Sequence, residues 1–129
     1  MDSGSLRSQV DLLKALAHPV RLRILSMLRD GELCVCQVQA VVGLATSTIS
    51  EHLRALRHAG LLEERKDGRW VYYALNPEEG LGAVIEGLWP RLNEDRQVRR
   101  DRASSRKLRK VPVETTCAQV KSCSGVVRT

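Results

Sequence analysis

Two cysteines one residue apart, Cys34 and Cys36, stand in the stretch Glu32-Leu33-Cys34-Val35-Cys36-Gln37-Val38-Gln39. Soft ions prefer thiolate to imidazole or carboxylate. The spacing is informative, because side chains two residues apart in a regular α-helix diverge by about 200°. Such a pair shares one ion only where the backbone departs from helical geometry. If the segment is helical without ligand, capturing an ion costs local helix structure, which is the physical basis of a switch. A helix N-terminus also favours the thiolate form. The alternative is that both cysteines are small buried hydrophobes. Cys117 and Cys123 lie far downstream, as further ligands or as idle tail thiols. His18, His52 and His58 are scattered over three elements, which suits helix caps, core contacts or phosphate contacts better than a common metal.

The elements around the pair read as a helix-turn-helix. Val38, Val41 and Val42 sit at i, i+3 and i+4, so a short helix runs roughly 35–42. Gly43 breaks it, and Thr46 or Ser47 can cap the next helix, Thr46 to Ala59. Ile49, Leu53 and Leu56 form the buried face of that helix, with Ser47, Ser50, Glu51 and Arg54 outside. Strand-like Leu62–Lys66 and Arg69–Leu75 follow, joined by Asp67-Gly68, a favoured hairpin dipeptide because both positions need positive φ. Lys66 and Arg69 flank the tip, and the whole is a winged helix-turn-helix. Candidate DNA contacts are Thr46, Ser47, Thr48, Ser50, Glu51, His52 and Arg54 on the helix and Lys66 and Arg69 on the wing. Arginine reads guanine bidentately, and the alternative is a solvated helix face.

Flanking segments complete a mainly α fold with a small β-hairpin. Leu6, Val10, Leu13 and Ala17 repeat at helical spacing, giving a first helix over 5–16, and Pro19 starts a second that ends at Asp30-Gly31. Asn76-Pro77-Glu78-Glu79 opens another helix with Leu81, Val84, Ile85, Leu88 and Leu92 as its stripe, and Pro90 should kink or end it. This stripe and that of the first helix are candidates for a dimer face, or for intramolecular core. The reading is a DNA-binding and dimerisation domain over 1–93 and a basic, flexible tail with two cysteines over 94–129.

Composition bounds the function. The four aromatics include no Phe, so the core is aliphatic and helices are favoured over a β-sandwich. Residues 1–93 carry eleven basic and eleven acidic residues, so the net charge of +6 lies entirely in 94–129. A basic chain points to a polyanionic partner. No apolar run is long enough to span a membrane, and no signal-peptide order opens the chain. A cytoplasmic protein with reduced thiols is expected. No acid/base pair, phosphate loop or nucleophilic constellation suggests an enzyme. A Cys-x-Cys metal carrier is the reading from another class.

Leu16-Ala17-His18-Pro19-Val20-Arg21-Leu22-Arg23-Ile24-Leu25, Glu32-Leu33-Cys34-Val35-Cys36, Ser47-Thr48-Ile49-Ser50-Glu51-His52-Leu53-Arg54-Ala55-Leu56, Ala59-Gly60-Leu61-Leu62 and Gly68-Arg69-Trp70-Val71-Tyr72-Tyr73 together resemble the ArsR/SmtB family of metal-responsive repressors. Glu-Leu-Cys-Val-Cys resembles its arsenic-sensing branch. The resemblance implies a homodimer on double-stranded operator DNA with an imperfect palindrome, needing no cofactor and released by As(III) or Sb(III). Arsenic sensors of this type often have a third cysteine where Gln39 stands here, and cadmium and lead sensors add N-terminal cysteines absent from 1–33. No histidine follows His58, which argues against the family's C-terminal zinc site. Trivalent arsenic takes three thiolates, so Cys117, with Cys123 as alternative, or a small thiol such as glutathione, would complete the set. Cadmium, lead or thiol oxidation are the alternative signals, although a Cys34–Cys36 disulfide would close a small strained ring.

Overall fold

The computed structural model describes the backbone of residues 5–76 and 81–128, and side chains only as far as Val120 and not at 81–83. The described elements run α1 (Leu6–Leu16), α2 (Pro19–Leu28), β1 (Leu33–Cys34), α3 (Val35–Val42), α4 (Thr46–His58), β2 (Leu62–Asp67), β3 (Trp70–Leu75), α5 (Leu81–Glu86), α6 (Trp89–Leu92), α7 (Arg96–Arg109) and α8 (Val113–Arg128). The three strands form one antiparallel sheet in the order β1-β3-β2. The fold is a winged helix-turn-helix.

Its core is aliphatic, with Ile24, Leu25, Met27, Leu33, Val38, Ile49, Leu53 and Leu56 nearly or wholly buried. Helix α1 contributes Leu12, Ala15 and Leu16, whereas Leu6, Val10 and Leu13 stay outside at 81%, 39% and 58% exposure. The stripe that marked this helix in the sequence thus faces away from the core. His18 caps α2, its Nδ1 accepting from the Val20 N–H at 3.1 Å, and Pro19 occupies the first turn.

The turn between α3 and α4 depends on Gly43, at φ 84°, whose N–H returns to the Gln39 carbonyl at 2.8 Å. The expected Thr46 or Ser47 cap does not form. Ala45 is the cap residue, and Thr46 Oγ1 instead donates to Gln39 Oε1 at 2.8 Å, tying α4 to α3. The wing turn also lies one residue later than expected. Asp67 pairs with Trp70, so Gly68 and Arg69 are the central residues. Gly68 has φ 62° and no non-glycine residue described has positive φ, so only the first central position uses the left-handed region. That arrangement spares Asp67 an unfavourable conformation.

Strand β1 carries no sequence signal, being only two residues long. It exists because Leu33 and Cys34 pair with Tyr73 and Tyr72 of β3. Pro90 opens α6 rather than ending the preceding helix, and Ile85 and Trp89 from this region enter the core. The helix start expected at Pro77-Glu78-Glu79 lies outside the described residues.

The basic segment expected to be a flexible tail is instead helical. Helix α7 lies on α2 and α3, and α8 lies on α3. Its anchors are polar, which is why apolar periodicity failed to reveal it. Arg23 grips buried Asp101 through two bonds of 2.7 and 3.0 Å, and Arg102 grips Asp30 through bonds of 2.8 and 3.1 Å. Arg109 Nη2 donates to the carbonyls of Met27 at 3.0 Å and Gly31 at 2.6 Å, tying α7 to the last turn of α2 and the turn that follows it. The partners hold the Arg23 and Arg102 guanidiniums charged, and the hydrogen bonds from Arg102 hold the Asp30 carboxyl below its ordinary range.

Candidate functional site

Cys34 is the cap residue of α3 and Cys36 lies in its first turn. The Cys34 N–H donates to Gln37 Oε1 at 2.7 Å, and Gln37 Nε2 donates onward to the Leu108 carbonyl of α7 at 3.4 Å. The cysteine stretch is therefore clasped between the sheet and the C-terminal helices. Cys34 is 2% exposed and free. Cys36 and Cys117 are joined as a disulfide, their Cα atoms 5.0 Å apart across 81 residues of sequence. The Cys123 side chain lies outside the described residues. Among the described residues, no three His, Cys, Asp or Glu side chains converge as a metal site. The structure thus brings Cys36 to Cys117 and leaves Cys34 buried and unbonded at the extended cap position of α3.

On α4, Ser47, Glu51 and Arg54 are exposed, while Thr46, Thr48, Ser50 and His52 are half-buried. Lys66 and Arg69 are exposed on the wing, where the Arg69 guanidinium lies 4.7 Å from the centroid of the neighbouring Trp70 ring. His52 is held inward: its Nδ1 accepts from Arg21 Nε at 3.1 Å, and its ring lies 4.4 Å from that of His18. Burial first, and then the neighbouring His18 and Arg21, push its pKa below the ordinary 6.5. The hydroxyl of Thr46 is likewise engaged within the protein.

Sequence reasoning missed the residues that join the cysteines to this face. Glu32, two residues before Cys34, pairs with Arg65 of the wing, and Arg65 stacks 4.4 Å from the Tyr72 ring centroid. Arg57 of α4 pairs with Glu64 of β2 at 3.0 Å. Gln39 reaches α4 through Thr46. Only the β1–β3 register brings Glu32 to Arg65, and a strand of two residues leaves no periodicity from which to infer it.

A helix pair bearing polar side chains outward, with a charged hairpin beside it, defines a DNA-binding transcriptional regulator rather than an enzyme. The bacterial regulatory protein arsR family matches residues 18–64, and the chain belongs to that family. The chain is 42% identical over 80 residues to the arsenic resistance transcriptional regulator ArsR1 of Pseudomonas putida, covering 60% of this chain and 62% of the relative. It is 45% identical over 83 residues to the arsenical resistance operon repressor of Escherichia coli, covering 62% and 71%. Among solved structures, HlyU of Vibrio cholerae superposes with a TM-score of 0.59 at 41% identity, covering 68% of this chain and 94% of that one. Among the described residues, no helix is long and apolar enough to cross a membrane.

Proposed function

We propose that the protein is an arsenite- and antimonite-responsive repressor that binds a palindromic operator as a homodimer and leaves it when the metalloid engages Cys34, Cys36 and Cys117. The observation that carries this reading is the meeting of Cys117 with Cys36 at the start of α3. In the reduced protein these are two thiols side by side, with Cys34 two residues away. Cys34 is buried at the extended cap position while Cys36 faces Cys117, so bringing Cys34 to the same ion requires the start of α3 to shift. That turn is connected to β3 through β1, to the wing through Glu32 and Arg65, and to α4 through Gln39 and Thr46. Distorting it therefore disturbs both parts of the DNA-reading face. Release from 99% to 1% occupancy needs about a 10⁴-fold preference of the ligand for the released form, which a complete thiolate set supplies better than a pair.

The outward stripe of Leu6, Val10 and Leu13 supports pairing with a second copy. DNA contacts are assigned to Ser47, Thr48, Ser50, Glu51 and Arg54 of α4 and to Lys66 and Arg69 of the wing. Thr46 and His52 serve chiefly to position that helix.

A second reading is thiol-redox control, favoured by the Cys36–Cys117 bond. Closing that bond passes two electrons and two protons to an oxidant such as peroxide, and a dithiol reverses it. The deciding experiment is a gel shift with the promoter of the encoding operon. Release by arsenite from reduced protein supports the first reading. Release by hydrogen peroxide alone supports the second and overturns the first.

A further inference from the structure

We infer that the outer face of α7 is a second DNA-binding surface, which takes the phosphate backbone of duplex flanking the operator. At 100° per residue, Arg96, Arg100, Lys107 and Lys110 fall within about 80° of one another, and all four are exposed. Arg99 and Arg106 border this stripe. The opposite face, with Val98, Asp101 and Ser105, is buried against the domain. The stripe is about 21 Å long at 1.5 Å per residue. Among the described residues, none of Arg96, Arg100, Lys107 and Lys110 has an ion-pair partner.

Charge balance gives this face its partner. Residues 1–93 have no net charge, and on the reading head Arg57 is paired with Glu64 and Arg65 with Glu32. Arg54, Lys66 and Arg69 are a thin cationic complement for a duplex carrying one negative charge per roughly 1.7 Å. Helix α7 packs directly on α3, the first helix of the pair, which in this motif crosses the phosphate backbone. A stripe beside that helix extends the cationic surface outward along the duplex. An anionic membrane is a poorer match, because surface-binding helices present apolar residues beside their charges, whereas Val98 is 4% exposed.

This inference rests on operator binding, and the test separates the two. Reduced full-length protein is titrated with the footprinted operator trimmed to its protected core, and with the same core extended by one helical turn on each side. Each titration is repeated over a range of salt. For the wild type, the slope of log K against log[salt] should steepen on the longer duplex by about 0.9 for each phosphate engaged, up to about seven for four side chains on each of two protomers. In R96Q/R100Q/K107Q/K110Q this steepening should vanish while binding to the core is kept, and R96K/R100K/K107Q/K110Q should recover about half of it. Equal wild-type slopes on both duplexes, or a quadruple variant matching the wild type, overturn the inference alone. A quadruple variant that loses core binding also overturns it, because the contact would not be with flanking duplex. Wild-type protein binding neither duplex overturns it together with the operator reading.

Discussion

Cys36, in the first turn of α3, and Cys117, in α8, are bonded to each other, with their Cα atoms 5.0 Å apart. The contact seats the C-terminal helix on the first helix of the DNA-reading pair. Cys117→Ser should keep operator binding and weaken arsenite binding in buffer free of small thiols. X-ray absorption should then count two sulfurs instead of three. An unchanged sulfur count would remove Cys117 from the site. Oxidised wild-type protein should also fail to take up arsenite until a dithiol is added, because the bond occupies two of the three ligands.

Cys34→Ser and Cys36→Ser preserve volume while removing a soft ligand. Each variant should bind the operator as the wild type does and resist release by arsenite. A reporter strain carrying either variant should stay repressed at arsenite levels that fully induce the wild type. Normal induction of either would refute the assignment of that cysteine.

Asp101 is 1% exposed and bonded twice to Arg23. Removing one partner of a buried pair leaves the other uncompensated, so Asp101→Ala should destabilise the protein by about 3 kcal/mol in urea unfolding. The Arg102 pair with Asp30 is more exposed, and Asp30→Ala should cost less. Equal and negligible effects would mean that α7 is not held by these pairs.

The depressed pKa of His52 has a defined sign. Below its ordinary value of 6.5 the unfolded chain binds a proton that the native chain, with its Nδ1 accepting from Arg21, resists. Native stability should therefore fall as pH drops from about 6.5 towards the lower native pKa, and then level off. His18, Arg21 and Glu51 are the charged or titratable groups acting on this ring. His52→Gln, which keeps an acceptor for Arg21, should lose this part of the pH dependence in urea midpoints measured from about pH 7.5 to about pH 5, which spans the histidine range.

Leu6 and Leu13 are exposed at 81% and 58% on one side of α1. If they pair two copies, Leu6→Glu with Leu13→Glu should sediment as a monomer and bind the full operator about a hundredfold more weakly, through lost bivalency. A wild-type protein that sediments as a monomer on and off DNA would rule out the dimer.

The sequence by itself determined the reading head, because each of its signals is local. Periodic Val38, Val41 and Val42, the Gly43 break, the Ile49-Leu53-Leu56 face and the glycine-bearing hairpin all act over a few residues, and the structure follows them to within a residue or so. The place of the cysteine pair at the start of α3 was also legible, since Val38, Val41 and Val42 mark that helix locally. Tertiary structure decided the rest. Strand β1 depends on pairing with Tyr72 and Tyr73, and Thr46 leaves its expected cap for Gln39 across the turn. Helix α7 is held by arginine bonds to Asp30, Asp101 and backbone carbonyls, so its basic sequence resembles a solvated tail until the partners are in place. The neighbourhood of Cys117 and Cys36 is likewise non-local: 81 residues separate them, and only the docking of α8 on α3 brings them together.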